Sequence, residues 1–210
     1  MTACGGIRGC VLALLGLGAT ACATLDKDEC LNADWRTIGY QDGARGKVAD
    51  VVGKHREDCA RYGVAPDLDA YTAGRDQGLV EYCREANGFR VGYRGKLYQG
   101  VCPSDLEYAF KLGYSDGREL YELNAQVRND EREVDARTKT LQTLNDELAR
   151  AEAELISDGV TSDRRAQLLQ QTRELAKEIG ALESEITGLE TDLIRKRTKL
   201  DALRESSPYL

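Results

Sequence analysis

The side chains best suited to chemistry in this 210-residue chain are seven cysteines, one histidine and an aspartate that recurs between glycines. Thiols that hold zinc usually come as C-x-x-C pairs with histidines nearby. No such pair occurs, and the single histidine, His55, stands a helical turn before Cys59. A metal site is therefore disfavoured. The chain also lacks a nucleophile elbow or a Ser/His/Asp order, and abundant carboxylates without geometry do not make an acid–base pair. No enzymatic reaction and no cofactor are expected. Oxidation is the better thiol chemistry: Cys30, Cys59, Cys83 and Cys102 form an even set suited to two disulfides in an oxidising compartment.

The compartment is suggested by the first residues. Arg8 precedes an uncharged run from Gly9 to Ala21. That run falls short of the ~20 residues a helix needs to cross a bilayer, and a basic start, short apolar stretch and small residues mark a secretory signal. Ala19-Thr20-Ala21-Cys22 resembles a bacterial lipobox, with Ala19 where Leu is commoner. The reading is a lipoprotein signal peptide at 1–21, lipidation of Cys22, and a lipidated linker over 22–29. Acyl chains such as palmitate would hold the chain to a membrane at ~0.8 kcal/mol per buried CH₂. Ala23 stands where an inner-membrane retention signal would place Asp, so the expected address is the outer membrane, facing the periplasm. The alternative is ordinary cleavage near Ala21 or Ala23, leaving Cys22 a thiol.

The recurring aspartates sit in Gly39-Tyr40-Gln41-Asp42-Gly43, in Gly113-Tyr114-Ser115-Asp116-Gly117, and more loosely in Gly74-Arg75-Asp76-Gln77-Gly78. An aromatic residue precedes each: Trp35, Phe110 and Tyr71. Asp42, Asp76 and Asp116 could converge on a cation or polar ligand, with Tyr40, Tyr71 and Tyr114 beside them. Packing is the preferred reading. Glycines four apart share one helical face and admit a neighbouring backbone, and no EF-hand pattern accompanies these aspartates.

Start and stop signals outline the elements that carry these residues. Asp34 caps a helix to about Lys47, a second spans Ala49–Tyr62, and a third runs from Asp67 or Leu68 to about Cys83. The glycines of Asn87–Cys102 read as loop with a short hairpin, and a further helix opens near Ser104. An antiparallel pairing of the second and third helices would separate Cys59 from Cys83 by ~18 Å, beyond disulfide reach. Cys30–Cys59 with Cys83–Cys102 is favoured, and the crossed pairing stays open.

Beyond Arg118 the pattern changes to heptads. Leu120, Leu123, Val127, Val134, Leu141, Leu144, Leu148, Ala151 and Leu155 follow one register. Leu168, Leu175, Ile179, Leu182, Ile186, Leu189, Leu193, Leu200 and Leu203 follow a second. Asp130, Arg137, Thr172 and Lys196 interrupt the seams, and Asp158-Gly159 with Thr161-Ser162-Asp163 separates them. Two antiparallel coiled-coil helices joined by a short turn are expected. The only basic knot, Arg195-Lys196-Arg197-x-Lys199, reads as a solvated face. A net charge of −7 argues against a nucleic-acid partner. The fold class is mainly α: a small disulfide-linked Gly/Tyr-rich helical domain at 30–118, then a long antiparallel coiled-coil hairpin at 119–205 with its turn at 157–163. Residues 206–210 are expected to fray.

Further motifs carry a family resemblance. Trp35 with Gly39-Tyr40-x-Asp42-Gly43, Cys59-Ala-x-Tyr-Gly63-Val-x-Pro66-Asp67 and Tyr71-x-x-Gly74-x-x-x-Gly78 are joined by Tyr82-Cys83, Gly92-x-x-Gly95-x-x-Tyr98-x-Gly100-Val-Cys102-Pro103 and Gly113-Tyr114-x-x-Gly117. Together they resemble a bacterial lipoprotein family known as domain of unknown function 2799, over residues 30–118. The resemblance implies an envelope lipoprotein and no particular reaction, and the heptad region lies outside it. The functional expectation is a lipid-anchored structural or interaction protein, with its coiled-coil arm meeting a protein partner or a second copy. The alternative is a periplasmic binding module for a small polar ligand or glycan, with tyrosines such as Tyr93 and Tyr98 as stacking surfaces.

Overall fold

The structure, a computed structural model, describes residues 25–210; Cys22 and the signal-like segment before it lie outside the described residues. Seven helices follow in order: α1 Lys27–Leu31, α2 Trp35–Ala44, α3 Val51–Ala60, α4 Leu68–Tyr82, α5 Glu85–Tyr93, α6 Ser104–Leu155 and α7 Ser162–Ser206. Local chemistry starts most of them. Asp34 accepts from the Arg36 and Thr37 amides to begin α2, and Asp67, after Pro66, accepts from Ala70 to begin α4. Thr161 does the same for α7. No helix among the described residues is long and apolar enough to cross a membrane.

Helical glycines decide which helices meet. Along α2 and α4, a Cβ placed on Gly39, Gly43, Gly74 or Gly78 would lie 1.9–2.2 Å from a carbonyl oxygen of the facing helix. Numbers rise together along both helices (Gly39 faces Tyr71, Gly43 faces Arg75), so the pair is parallel. The same arrangement joins α5 to α6. Gly88 faces Phe110, Gly92 faces Tyr114, Gly113 faces Glu85 and Gly117 faces Phe89, all at 2.1–2.3 Å. Helices approach this closely only where side chains are absent, bringing Cα–H groups against carbonyl oxygens.

The domain is thus two copies of one plan. Each first helix ends in G-x-R-G-K, Gly43–Lys47 and Gly92–Lys96, with the second glycine at φ +67° or +70°. The turns share their hydrogen bonds: the Lys47 amide donates to Asp42 O and the Lys96 amide to Val91 O. A tyrosine ring covers each such glycine, Tyr82 on Gly46 and Tyr121 on Gly95. The turn lysine carbonyl accepts from the second helix in both, from Arg75 in one unit and Tyr114 in the other.

Two expectations need correction. Asn87–Cys102 is not simply loop: Glu85–Tyr93 is α5, because Gly88 and Gly92 gain a partner backbone that offsets their poor helix propensity. Likewise α4 packs on α2 rather than forming a hairpin with α3. Disulfides join Cys30 to Cys59 and Cys83 to Cys102, with Cα separations of 5.3 and 5.7 Å. The first ties α1 to α3; the second clasps the end of α4 to the segment entering α6.

From the second unit α6 continues without interruption into the arm and α7 returns antiparallel. Phe89, Leu120, Leu123, Val127, Leu193 and Leu200 form one core across the junction, so no linker separates base from arm. Leu144, Leu175, Ile179, Leu182 and Ile186 fill the distal seam. Polar pairs interrupt the seam. Lys196 meets Asp130 at 2.6 Å, and Arg137 lies 2.8 Å from Glu133 and 3.1 Å from Glu185. The basic knot is answered locally, Arg197 by Glu131, Lys199 by Glu119 and Arg195 by Asp192. The terminal residues are not frayed: the Tyr209 ring packs on Phe89 at 4.9 Å between centroids, and its hydroxyl donates to Glu85 at 2.6 Å. That bond, with burial and the Glu85 charge, pushes the Tyr209 phenol up to about 12. An aromatic ring with a phenol can satisfy both an apolar surface and a carboxylate, which outweighs fraying.

Replacing a paired glycine tests this arrangement. Gly39→Ala and Gly117→Ala are expected to destabilise the protein by about 3 kcal/mol or more, because backbone must move. Gly180→Ala in α7, where a Cβ meets nothing within 4 Å, is expected to stabilise by about 0.5–1 kcal/mol. Thermal and urea denaturation of the three variants reads both signs.

Candidate functional site

The first unit buries a polar cluster that its counterpart lacks. Asp42 comes from α2, His55 from α3, Tyr71 from α4 and Lys47 from the turn after α2. The glycine contacts that draw α2 onto α4 bring Asp42 and Tyr71 together, and the Cys30–Cys59 bond holds α3 in place one turn beyond His55. Asp42, His55 and Tyr71 are each 2% exposed. Asp42 Oδ2 lies 2.7 Å from His55 Nε2 and accepts from the Tyr71 hydroxyl at 3.0 Å, while Oδ1 meets Lys47 Nζ at 2.9 Å.

These contacts set the ionisation of the cluster. Burial opposes the Asp42 charge, but hydrogen bonds from Lys47, His55 and Tyr71 outweigh it and hold the carboxyl below its ordinary 3.8. Tyr71 moves the other way, far above its ordinary value, first through burial and then through the Asp42 charge. At neutral pH the phenol is thus a donor to a charged carboxylate. Beside the cluster opens a cavity of about 380 Å³ that Asp34, Thr37, Gln41, Asp42, Lys47 and His55 help to line. Among the described residues no serine or cysteine lines it, and the Thr37 hydroxyl is engaged by Asp34 at 2.6 Å. Its chemistry is that of hydrogen bonding to a polar group.

Position by position, the second unit carries Val91 where the first has Asp42 and Phe110 where it has Tyr71. Phe110 is wholly buried and stacks on Tyr82 and Tyr114. The plan therefore folds with an apolar interior, and the polar cluster is a specific addition to unit one.

The other candidate residues are dispersed. Trp35 lies in the core with Cys30, Val51, Cys59 and Tyr71. Tyr40 is 42% exposed, and Asp76 and Asp116 face solvent, so only Asp42 of the three aspartates is buried. Tyr114 donates to the Lys96 carbonyl. Tyr93 and Tyr98 are packing residues, against Phe89 and Phe110 respectively. Among the described residues no group of three His, Cys, Asp or Glu side chains is placed to hold a metal ion. Sequence reading missed the His55–Asp42 contact, for which periodicity carries no signal. It also missed α5, although the repeated G-x-R-G-K could have revealed it.

Fold and site together define a disulfide-linked tandem of glycine-paired helices continuous with an antiparallel helical hairpin. Residues 34–119 match the family model described as Protein of unknown function (DUF2799), and this domain of the chain belongs to that family. The matched region ends within α6, so most of the hairpin lies beyond it. Comparison with curated proteins and with solved structures gave no match.

The lowered Asp42 pKa has a definite consequence for acid stability. A carboxyl whose folded pKa lies below its unfolded value stabilises the fold above the unfolded pKa, and that contribution is lost as pH falls through the folded one. Wild-type protein should lose stability progressively below pH 3.8. Asp42→Asn should be less stable at neutral pH and show a smaller further loss in that window; urea midpoints measured across the acid range check both.

Proposed function

We propose that this is a lipid-anchored bacterial cell-envelope protein with a structural or protein-interaction role, in which a cross-linked base holds out a helical arm. The observation that carries the arm's role is the continuity of α6, which runs from the glycine-paired base to the tip without a break. At 1.5 Å per residue the segment beyond Leu120 extends ~50 Å. A shared core at its root and an ion-paired waist keep that span stiff. The hairpin fills its own seam, so the arm does not need a partner to fold, and it keeps apolar side chains exposed along its length. Ile194 is 64% exposed beside the waist and Ile156 is 82% exposed at the tip. Support for the anchor comes from the signal-like segment and lipobox at Ala19–Cys22, and support for an oxidising envelope from the two disulfides.

Two measurements test this reading. Cys22→Ala should move the protein from the membrane to the soluble fraction of lysed cells; continued membrane retention would rule out the lipid anchor. A photoreactive residue at 156 or 194 should form protein adducts in intact envelopes. Adducts arising only from the base and never from the arm would overturn the arm's role.

A further inference from the structure

The junction between the two units holds a second polar cavity, of about 230 Å³, and its charge is one-sided. Arg45, Arg90, Arg94 and Lys96 line it together with Tyr82 and Asn87, and no carboxylate does among the described residues. None of the four cations is ion-paired among the described residues, although the chain as a whole carries −7 and most cations of the arm's basic knot have acidic partners. Like charges gathered without a counterion repel, so their convergence calls for an anion.

The repeat explains how this site arose. Arg45 and Arg94 are equivalent residues of the two G-x-R-G-K turns, and Lys47 and Lys96 are likewise equivalent. In the first unit Lys47 is neutralised by Asp42. In the second, Val91 takes the aspartate's place and Lys96 keeps its charge for the cavity. Proximity to the C-terminal ends of α2 and α5 favours Arg45, Arg90 and Arg94 individually. It does not account for Lys96 or for the absence of acids from the wall.

From this geometry we infer that the junction is an anion site that takes a phosphate group. Three guanidinium forks and an ammonium suit a multiply charged oxyanion better than a single carboxylate. The volume is below the ~300–1,000 Å³ of pockets for drug-sized ligands and fits one compact group. That group belongs either to a free phosphorylated solute or to a phospholipid headgroup. The site shares Arg45 with the cavity beside the Asp42 cluster but holds Arg90, Arg94 and Lys96 apart from it, and it does not rest on the anchor or the arm.

Calorimetric titration of the purified full-length protein with inorganic phosphate, beside co-sedimentation with phosphatidylglycerol or phosphatidylcholine vesicles, separates the two sources. Saturable phosphate binding identifies a free solute. Selective retention on phosphatidylglycerol, without binding of free phosphate, identifies a headgroup. In either arm Arg90→Gln/Arg94→Gln should weaken binding about ten-fold or more, from the loss of two charge-assisted contacts. Lys54→Gln/Arg56→Gln on α3, which removes the same charge elsewhere, should leave it unchanged. If the first double variant melts early, Lys96→Gln supplies the comparison. Binding in neither arm, or an equal loss in the α3 control, overturns the site.

Discussion

Eight glycines hold this domain's helices at backbone contact, and most other features follow from that distance. A helix interior is an unfavourable place for glycine, each costing about 1 kcal/mol against alanine. The expense is tolerable only when another backbone occupies the space the side chain would fill. Here that backbone belongs to a parallel helix, so the chain must travel the length of the domain between partners. In the first unit α3 makes that return; in the second, residues 94–103 do. Both return segments carry a disulfide cysteine beside their last residue, Cys59 or Cys102. Cross-links suit segments that pack against the pair without glycine contacts of their own.

Close pairing leaves little room between helices, so what lies beside each pair is set by a few positions. In unit one Asp42 and Tyr71 meet there, and an aspartate buried at that depth requires donors from several elements. His55 and Lys47 supply them. In unit two Val91 and Phe110 occupy the same places, the donors are unnecessary, and Lys96 is released to the junction. One backbone plan thus supports two electrostatic environments, a compensated buried anion and an uncompensated cationic cavity, through exchange of a few side chains.

The arm obeys a different rule. Its helices run antiparallel at side-chain distance, with leucine and isoleucine seams broken by an ion-paired waist. Partly buried ion pairs add little net stability, but they oppose slippage, since moving one helix by a turn would separate Lys196 from Asp130. Arg197–Glu131 and Lys199–Glu119 match the same register. The chain terminus then folds Tyr209 back onto α5, closing the base on its own arm.

Periodic and local features are legible in the amino-acid sequence by itself. The heptads of α6 and α7, the turn between them and the Asp34 and Asp67 caps all depend on residues near in sequence, and the even set of cysteines is read by counting. Spacing also favours the correct disulfide partners, but through a pairing of α3 with α4 that the fold does not use. Nothing local distinguishes α3 from α2 as the neighbour of α4; facing glycines far apart in sequence do. The same holds for α5, whose glycines look like loop until a second backbone covers them, and for Tyr209, whose partner Glu85 lies 124 residues away. The cavities are furthest from the sequence. Asp42 becomes a buried anion, and Arg45 joins Arg90 and Arg94, only when packed helices exclude water and bring distant charges together, because the strength of a charge contact depends on separation and burial rather than on residue type.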